Sequence, residues 1–244
     1  MELILLAAGK GSRIYRKIKK NKCLININRK TLIQKIIDDF KKHYHNDKIK
    51  IILGYKKKNI TNSIKKDKSI NFINNKNFAS REMLYSLYLG LKKSNSDVII
   101  SYTDIYYSEN VFKKIKKEKI KQIIMPVYKN WKATWKKRKK DIYDDCETLK
   151  YDNKFYCYDI GKKLNISSDA MAQFMGIVYI PKSKINRIIN FLKICKKYKK
   201  MHTTEFLNFV IEKKVKIKCL PIYSNWYEFD DLDDLKFFKL NESL

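Results

Sequence analysis

The chain has 244 residues, of which 44% are hydrophobic and 13% aromatic, and its formal net charge is +30. This composition supplies enough apolar side chains for a sizeable core and excludes an intrinsically disordered chain. No apolar run approaches the roughly 18 residues of a membrane-spanning helix, and the amino terminus lacks the pattern of a secretory signal. We therefore expect a soluble, cytoplasmic protein without a membrane span.

The positive charge indicates an anionic partner without identifying it. The lysines are spread over nearly the whole chain, beside many Asn and Ile residues, and are not gathered in one stripe. This distribution disfavours a dedicated nucleic-acid surface, which stays open as a distant alternative. A polyanionic small ligand such as a nucleoside triphosphate fits the same charge.

The cysteines and histidines show no metal-ligand spacing. The five cysteines include no Cys-x-x-Cys pair, and their odd number argues against a closed set of disulfides. We expect reduced thiols and surface or helical positions for the histidines. These residues are Cys23, Cys146, Cys157, Cys195, Cys219, His43, His45 and His202.

Apolar segments typical of strands alternate with amphipathic segments typical of helices. The predicted strands are ELILLAAG, KIKIILGY, SINFINN, SDVIISYTDIYY, KQIIMPVY, AMAQFMGIVYIP and KIKCLPIY. The predicted helices are KTLIQKIIDDFKKHY, REMLYSLYLGLKKS, SENVFKKIKKEK, SKINRIINFLKICKKYKK and TTEFLNFVIEKK. Strands that are buried on both faces and separated by helices imply an α/β protein with a largely parallel sheet.

The first predicted strand runs into LAAGKGSR, which places two of the chain's six glycines at the carboxyl end of a parallel strand. Folds of this class bind ligands at that edge of the sheet. Glycines let backbone amides approach a ligand closely, and successive amides form an anion-binding concavity. The spacing matches neither the P-loop nor G-x-G-x-x-G, so a plain strand-to-helix turn stays an alternative.

The segment LAAGKGSRI, followed by KCLININRKTLIQKII, resembles the signature of a nucleotidyltransferase family, L-A-A-G-x-G-x-R and then P-K-x-L. The family includes sugar-1-phosphate nucleotidyltransferases and cytidylyltransferases that act on small phosphorylated alcohols and amines. The chain departs from the signature in having Asn21 at the usual proline and a shorter gap between Arg13 and Lys22. The resemblance implies a three-layer α/β/α, Rossmann-like (GT-A-like) fold with a mostly parallel mixed sheet.

The same resemblance implies one nucleotidyltransferase domain over residues 1–244. Its nucleotide-binding half covers about 1–110 and its acceptor-binding half about 111–244. The glycine turn and Lys22 are expected to hold the triphosphate, with Arg13 and Lys22 stabilising the departing pyrophosphate. Without the flanking context, Lys22 would be one of many surface lysines. The residues implied at the triphosphate are Leu6, Ala7, Ala8, Gly9, Gly11, Ser12, Arg13 and Lys22.

Two acidic sites are expected to hold a magnesium ion beside the triphosphate. Asp104 ends a predicted buried strand, where a carboxylate without a partner is costly to bury. The segment NWYEFDDLDDL resembles the family's closing E-I-D-D-x-x-D-L, which makes Asp230 the second metal ligand and Glu228 a nearby orienting carboxylate of the metal site. The alternative is that this acidic cluster only caps the last helix, a role we expect for Asp231, Asp233 and Asp234.

The middle of the chain resembles a subgroup of this family. YTDIYYSENVF, WKATWKKRKKDIYDDCETLK and AMAQFMGIVYI are similar to its S-D-I-x-Y, W-x-x-x-W-x-x-R, D-A-E-T-x-K and Q-Y-M-G-L motifs. Cys146 replaces the alanine and Phe174 the tyrosine. The subgroup contains cytidylyltransferases for phosphocholine, 2-aminoethylphosphonate and phosphoglutamine. It implies a place in capsule or cell-surface polysaccharide biosynthesis, and the motifs do not define the acceptor.

Aromatic and charged residues of these motifs are expected to bind the phosphorylated acceptor. An aromatic face attracts an ammonium group, and an arginine binds phosphate or carboxylate bidentately. The alternative for the tryptophans is a role as core anchors. Asp145 and Glu147 are candidates for recognising an amine. The expected acceptor residues are Tyr128, Trp131, Trp135, Arg138, Asp145, Glu147 and Gln173.

The nucleotide base is expected near Gly54, Tyr55, Met83 and Ser86, by their positions in the family. In the reaction that the resemblance implies, an acceptor oxygen attacks the α-phosphorus of CTP and pyrophosphate leaves. Positioning and charge neutralisation then supply catalysis. A sugar-1-phosphate nucleotidyltransferase that uses another nucleotide stays an alternative, and the oligomeric state is open.

Overall fold

A computed structural model describes residues 1–11, 18–79, 83–118, 121–138, 141–195 and 201–242. Its central feature is a mixed, mostly parallel sheet with the order β11-β8-β12-β6-β1-β4-β5 and with β13 beside β8. The strands are β1 Glu2–Ala7, β2 Asn26–Ile27, β3 Lys30–Thr31, β4 Lys48–Leu53, β5 Ile70–Asn74, β6 Val98–Tyr102, β7 Ile105–Tyr107, β8 Ile123–Tyr128, β9 Glu147–Tyr151, β10 Cys157–Lys163, β11 Gln173–Phe174, β12 Ile177–Ile180, β13 Ile217–Ile222 and β14 Trp226–Glu228.

Five helices of the described residues lie where the sequence predicts them, and the short helices at Lys57–Ser63, Trp131–Arg138 and Ile142–Asp145 were not predicted. The helices are α1 Leu32–His43, α2 Lys57–Ser63, α3 Met83–Leu91, α4 Asn110–Lys117, α5 Trp131–Arg138, α6 Ile142–Asp145, α7 Lys182–Ile194, α8 Thr203–Glu212 and α9 Leu232–Asn241, with 3₁₀ turns at Lys22–Leu24 and Ser167–Asp169. Strand β1 pairs in parallel with β4 and β6, and β4 pairs in parallel with β5. The predicted α/β class and mostly parallel sheet are confirmed.

The core lies on both faces of the sheet, because its strands are apolar on both sides. Helix α1 shows how a helix covers one face. Its side chains at Ile33, Ile36, Ile37 and Phe40 are buried, and the Thr31 hydroxyl accepts a hydrogen bond from the amide of Gln34 and caps the helix. Spacing by three and four residues places these apolar side chains on one stripe.

Two segments predicted as single strands are each broken in two. SDVIISYTDIYY forms β6 and β7, which are separated at Thr103 and Asp104, and AMAQFMGIVYIP forms β11 and β12, which are separated at Met175 and Gly176. The antiparallel hairpin of β9 and β10 was not predicted, because its polar sequence lacks a clear period. No helix of the described residues is long and apolar enough to cross a membrane.

The break after β6 positions the functional edge. Strand β7 turns away from the main sheet and pairs antiparallel with β14, with Ile105 opposite Glu228. The amide of Phe229 donates to the carbonyl of Asp104 at 3.1 Å and extends this pairing by one residue. The small β7–β14 ladder thereby brings the segment after β14 next to the carboxyl end of β6.

Candidate active site

A cleft opens at the carboxyl end of β1, where the glycine turn begins. Its cavity volume is about 220 Å³. It is lined by Leu6, Ala7, Ala8, Gly9, Gly11, Asn21, Lys22, Cys23, Asn75, Phe78, Met83, Ser86, Tyr102, Thr103 and Asp104. The structure thus brings the predicted glycine turn, Lys22, Asp104 and the predicted base residues Met83 and Ser86 to one cavity. Ser12 and Arg13 lie outside the described residues.

Two glycines are required by the geometry of this edge. Gly11 has a φ of +59°, and a Cβ atom there would lie 2.7 Å from Cγ of Lys22. A Cβ atom on Gly54 would lie 2.5 Å from the carbonyl oxygen of Ala8 and 2.7 Å from Cβ of Phe78. Gly11 therefore lets the Lys22 side chain lie against the turn, and Gly54 lets β4 end against the same turn.

Lys22 joins the two predicted metal ligands. Its Nζ atom lies 3.3 Å from Oδ2 of Asp104 and 2.5 Å from Oδ1 of Asp230. The lysine side chain is 13% exposed, and the two carboxylates keep about a third of their surface open to solvent. The ammonium therefore neutralises a pair of carboxylates that are 126 residues apart in sequence. Lys22 and Asp104 line the cavity, and Asp230 lies next to it through its contact with Lys22.

Glu228 lies behind this pair at the end of β14. Burial and the neighbouring carboxylates of Asp230 and Asp104 raise the pKa of Glu228 to about 8, although the guanidinium of Arg138 opposes the shift. A raised carboxyl pKa is the expected response to three acids that share a partly desolvated space. The site is therefore short of positive charge.

The donor set fits a magnesium ion that is shared with a phosphate ligand. Magnesium in phosphate sites is typically held by one or two carboxylates, with substrate oxygens and water completing its shell. Asp104 and Asp230 supply two such carboxylates beside the glycine turn. Within the parts of the chain that the structure describes, no group of three or more His, Cys, Asp or Glu side chains is arranged to hold a metal ion alone. Glu228 therefore fits its predicted orienting role better than a place as third ligand.

The side of the cleft near Met83 and Ser86 contains residues that the sequence did not single out. Asn75 follows β5, is 1% exposed, and donates from its side chain to the hydroxyl of Ser86 at 3.0 Å. Phe78 packs between Gly54 and Tyr55. The position of Asn75 at the carboxyl end of a predicted strand was the available signal. Of the predicted base residues, Met83 and Ser86 line the cavity, and Tyr55 donates its amide to Ala8 just behind it.

The two predicted acceptor tryptophans are core residues, which corrects their expected place in a binding pocket. Trp131 and Trp135 are each 1% exposed, and Trp135 stacks on Trp226 with ring centroids 6.0 Å apart. Tyr128 is also buried, and its hydroxyl pairs with that of Thr134 at 2.8 Å. Each aromatic ring buries a large apolar surface here, so the alternative of core anchors holds.

Arg138 and Asp145 are occupied by internal partners. Nη2 of Arg138 lies 2.6 Å from Oδ1 of Asp234, and the guanidinium lies 4.5 Å over the ring of Trp135. The indole Nε1 of Trp135 donates to Oδ2 of Asp145 at 2.8 Å. The arginine side chain is only 6% exposed, so its expected contact with an acceptor phosphate is not available in this arrangement.

Glu147 and Gln173 form a separate polar group near Tyr102, a residue that also lines the cleft. Burial raises the pKa of Glu147, while a hydrogen bond from Thr204 opposes this shift. Nε2 of Gln173 donates to the carbonyl oxygen of Glu147 at 3.4 Å. Glu147 is thus a partly buried carboxyl with a raised pKa, and a cationic ligand beside it would favour its ionised form.

The model of the MobA-like NTP transferase domain matches residues 3–156, which include the glycine turn, Lys22 and Asp104. The chain belongs to the MobA-like NTP transferase family. It is 30% identical to the CTP:phosphoglutamine cytidylyltransferase of Campylobacter jejuni subsp. jejuni, over 97% of this chain and 98% of that protein. The chain is therefore a nucleotidyltransferase, and its glycine turn, Lys22 and Asp104 lie within the region that the family model matches.

Solved structures share the fold of this NTP transferase. The CTP:phosphocholine cytidylyltransferase of Streptococcus pneumoniae matches with a TM-score of 0.73 and 21% identity, over 99% of this chain and 97% of that chain. A putative glucose-1-phosphate thymidylyltransferase of Bacillus anthracis matches with a TM-score of 0.75 and 16% identity, over 100% of this chain and 96% of that chain. The predicted Rossmann-like, GT-A-like nucleotidyltransferase fold is confirmed.

Proposed function

We propose that this NTP transferase transfers CMP from CTP to a small phosphorylated acceptor of the phosphocholine, phosphoglutamine or aminoalkylphosphonate type. The observation that carries the proposal is the Lys22 ammonium held between Asp104 and Asp230 beside the glycine turn. The relationship to a CTP:phosphoglutamine cytidylyltransferase at 30% identity over nearly the whole chain supports the choice of CTP and of a small acceptor. Its product would be an activated phosphate compound, the class of donor that cell-surface polysaccharide synthesis consumes.

In this reaction an oxygen of the acceptor phosphate or phosphonate attacks the α-phosphorus of CTP. The bond between the α-phosphorus and the bridging oxygen breaks, and pyrophosphate leaves with the electron pair. The attacking oxygen is already ionised near neutral pH, so no protein nucleophile or base is needed. The protein has to position two anions and offset their charge.

The described residues contribute to this positioning and charge neutralisation in different ways. The glycine turn lines the cleft, and its backbone amides would bind the phosphates of a nucleotide. Lys22, whose side chain lies against the turn, supplies a positive charge on a flexible stem. Asp104 and Asp230 would hold a magnesium ion, which supplies charge neutralisation at the α-phosphate when it is bound. Arg13, whose placement is not described, is proposed from its place in the motif to contact the departing pyrophosphate.

The acceptor group is proposed to lie beside Glu147, which is close enough to Tyr102 to act on it electrostatically. The carboxylate of Glu147 is hydrogen-bonded by Thr204, and burial raises its pKa. A cationic ammonium or amine beside Glu147 would stabilise the ionised carboxylate. This placement accounts for a positively charged acceptor without using the buried tryptophans.

The experiment that tests this function offers the protein each nucleoside triphosphate with Mg²⁺ and a panel of phosphorylated acceptors. The panel contains phosphocholine, phosphoglutamine, 2-aminoethylphosphonate, glucose 1-phosphate and inositol 1-phosphate. We expect pyrophosphate release with CTP and a small nitrogen-containing acceptor, and a CMP-linked product by mass spectrometry. Release only with dTTP or UTP and glucose 1-phosphate would assign the protein to the sugar nucleotidyltransferases instead.

A further inference from the structure

The turn that carries Asp230 is held from behind by a buried carboxylate. Oδ2 of Asp234 accepts hydrogen bonds from the amides of Asp230 at 2.8 Å and of Asp231 at 3.1 Å. The Asp234 side chain is 1% exposed. The side chain of Asp231 in turn accepts from the amide of Asp234 at 3.0 Å, which closes a capping box at the start of α9. The backbone of Asp230 is therefore fixed by one oxygen atom of Asp234.

The other oxygen of Asp234 is held by Arg138, which comes from a different part of the chain. Nη2 of Arg138 donates to Oδ1 of Asp234 at 2.6 Å, and its side chain is 6% exposed. The guanidinium also packs over the Trp135 ring, with Cζ of Arg138 4.5 Å from the ring centroid. Trp135 stacks on Trp226 of β14, the strand that leads into the Asp230 turn.

The two carboxylate oxygens of Asp234 bind different partners, and this arrangement does more than stabilise the fold. A buried ion pair adds little net stability, since desolvation offsets most of the attraction. Removing one partner is costly, because it leaves a buried charge without compensation. Oδ2 of Asp234 accepts from the amides of Asp230 and Asp231, while Oδ1 accepts from Arg138. This arrangement fixes the point at which the Asp230 side chain leaves the backbone.

We propose that Arg138 and Asp234 are positioning residues for Asp230, and that they act on its affinity for a divalent cation rather than on the acceptor. The inference rests on the proposed function, in which Asp230 is a ligand of the magnesium ion. This positioning role takes the place of the predicted contact between Arg138 and an acceptor phosphate, because the guanidinium faces Asp234 and the Trp135 ring.

The test compares Asp234→Asn and Arg138→Lys with the wild-type protein. An asparagine keeps one acceptor oxygen and cannot serve both the amides and Arg138, and a lysine keeps the charge but loses the planar stacked donor. We expect the Mg²⁺ concentration for half-maximal activity to rise on the order of tenfold in Asp234→Asn and less in Arg138→Lys. High Mg²⁺ should restore most of kcat, and KM for the acceptor should change little.

Asp233→Asn is the matched control, because Asp233 lies in the same first turn of α9 with its side chain 80% exposed. It should leave the Mg²⁺ requirement unchanged. An unchanged Mg²⁺ requirement in folded Asp234→Asn and Arg138→Lys would overturn the inference. A raised acceptor KM at an unchanged Mg²⁺ requirement would also overturn it, since that result is expected if Arg138 binds substrate. If Asp234→Asn does not fold, Arg138→Lys decides between these outcomes.

Two measurements separate failure of this inference from failure of the proposed function. A wild-type protein that releases no pyrophosphate with any nucleotide and acceptor would contradict the function alone. Hydrogen exchange of the amides of Asp230 and Asp231 needs no substrate. We expect at least tenfold faster exchange of these two amides in Asp234→Asn than in Asp233→Asn, with amides of the central sheet unchanged. Equal protection in both variants would contradict the positioning role whatever the activity.

Discussion

Nζ of Lys22 lies 2.5 Å from Oδ1 of Asp230, although the two residues are 208 positions apart in the chain. The same nitrogen reaches Asp104 at 3.3 Å, so one ammonium occupies the place between both acids. A divalent cation that binds these carboxylates has to displace the lysine, which is then available to a phosphate group. Lysine suits this exchange because its charge sits on a flexible stem.

Replacing Lys22 by Gln should therefore have opposite effects on cation binding and on catalysis. The two carboxylates lose their internal counter-ion, so Mn²⁺, used in place of Mg²⁺, should bind more tightly to the free protein. Turnover should fall on the order of 10²-fold, as for loss of one preorganised charge contact. Electron paramagnetic resonance of free Mn²⁺ measures the first effect and pyrophosphate release the second.

Lys236→Gln is the control for this prediction, since the Lys236 side chain is 71% exposed and pairs with Asp233 away from the cleft. The Lys236→Gln variant should change neither the affinity for Mn²⁺ nor the turnover. Weaker Mn²⁺ binding by Lys22→Gln would show that the lysine supports the cation site instead of competing for it.

Replacing either Asp104 or Asp230 by Asn should nearly abolish turnover without unfolding the protein. The loss should be on the order of 10³-fold or more, because each carboxylate serves the charge neutralisation on which the proposed reaction depends. Thermal stability should stay within a few degrees of wild type, since the substitution also relieves repulsion from Glu228. The exposed Asp144 gives a control in Asp144→Asn, for which we expect wild-type turnover. A rate within tenfold of wild type in either cleft variant would remove that residue from the proposed metal site.

The two glycines of the turn should respond differently to alanine. Gly11→Ala places a Cβ atom at a positive φ and 2.7 Å from Cγ of Lys22. We expect the free energy of unfolding to fall by about 1–2 kcal/mol, the usual cost of that backbone conformation for an L-residue. Gly9→Ala is the matched control, because nothing lies within 4 Å of its Cβ position. Urea denaturation of the ligand-free proteins measures both, and equal stability of the two variants would contradict the strain at Gly11.

Glu147 should make stability depend on pH in a direction set by its raised pKa. The folded state binds the proton of this carboxyl more tightly than the unfolded state, so the stabilisation is complete at low pH. It is lost as pH rises above the ordinary value of 4.5 and through the raised folded pKa. Relative to Glu147→Gln, the wild-type protein should lose free energy of unfolding over that interval.

Urea denaturation of both proteins across that pH interval measures this difference. Glu212→Gln, at the exposed end of α8, is the comparison and should show a constant difference from wild type. A Glu147 effect that grows more favourable to wild type with rising pH would mean that the carboxylate is stabilised in its ionised form. The direction in which the free energy of unfolding changes with pH therefore shows whether burial sets the pKa of Glu147.

Local patterns predicted much of the fold and one acid of the site. The apolar run of β1 and the spacing of α1 each depend on near neighbours in sequence, so a single chain suffices to recognise them. Asp104 could be placed because a carboxylate directly after a buried strand is unusual. Asp230 needed the resemblance, since nothing local distinguishes it from Asp231 or Asp233.

The acceptor side was harder to predict because it depends on distant partners. The spacing of Trp135 and Arg138 in the sequence does not show whether the two side chains face a ligand or the core. Trp226, which stacks on Trp135, lies 91 residues away, and Asp234, which pairs with Arg138, lies 96 residues away. The hairpin of β9 and β10 contains Glu147, and its strands are too polar and irregular to be recognised by alternation.

The order of strands along the chain has a consequence for synthesis and truncation. Every described strand of the central sheet ends by Ile222, whereas β14 and the Asp230 turn come afterwards. A polypeptide interrupted in this interval could still assemble its layered scaffold and its glycine turn, yet it would present only one of the two acids. Loss of the carboxyl-terminal segment would therefore remove Asp230 and leave Asp104 in place, so the proposed metal site would be incomplete on an otherwise assembled sheet.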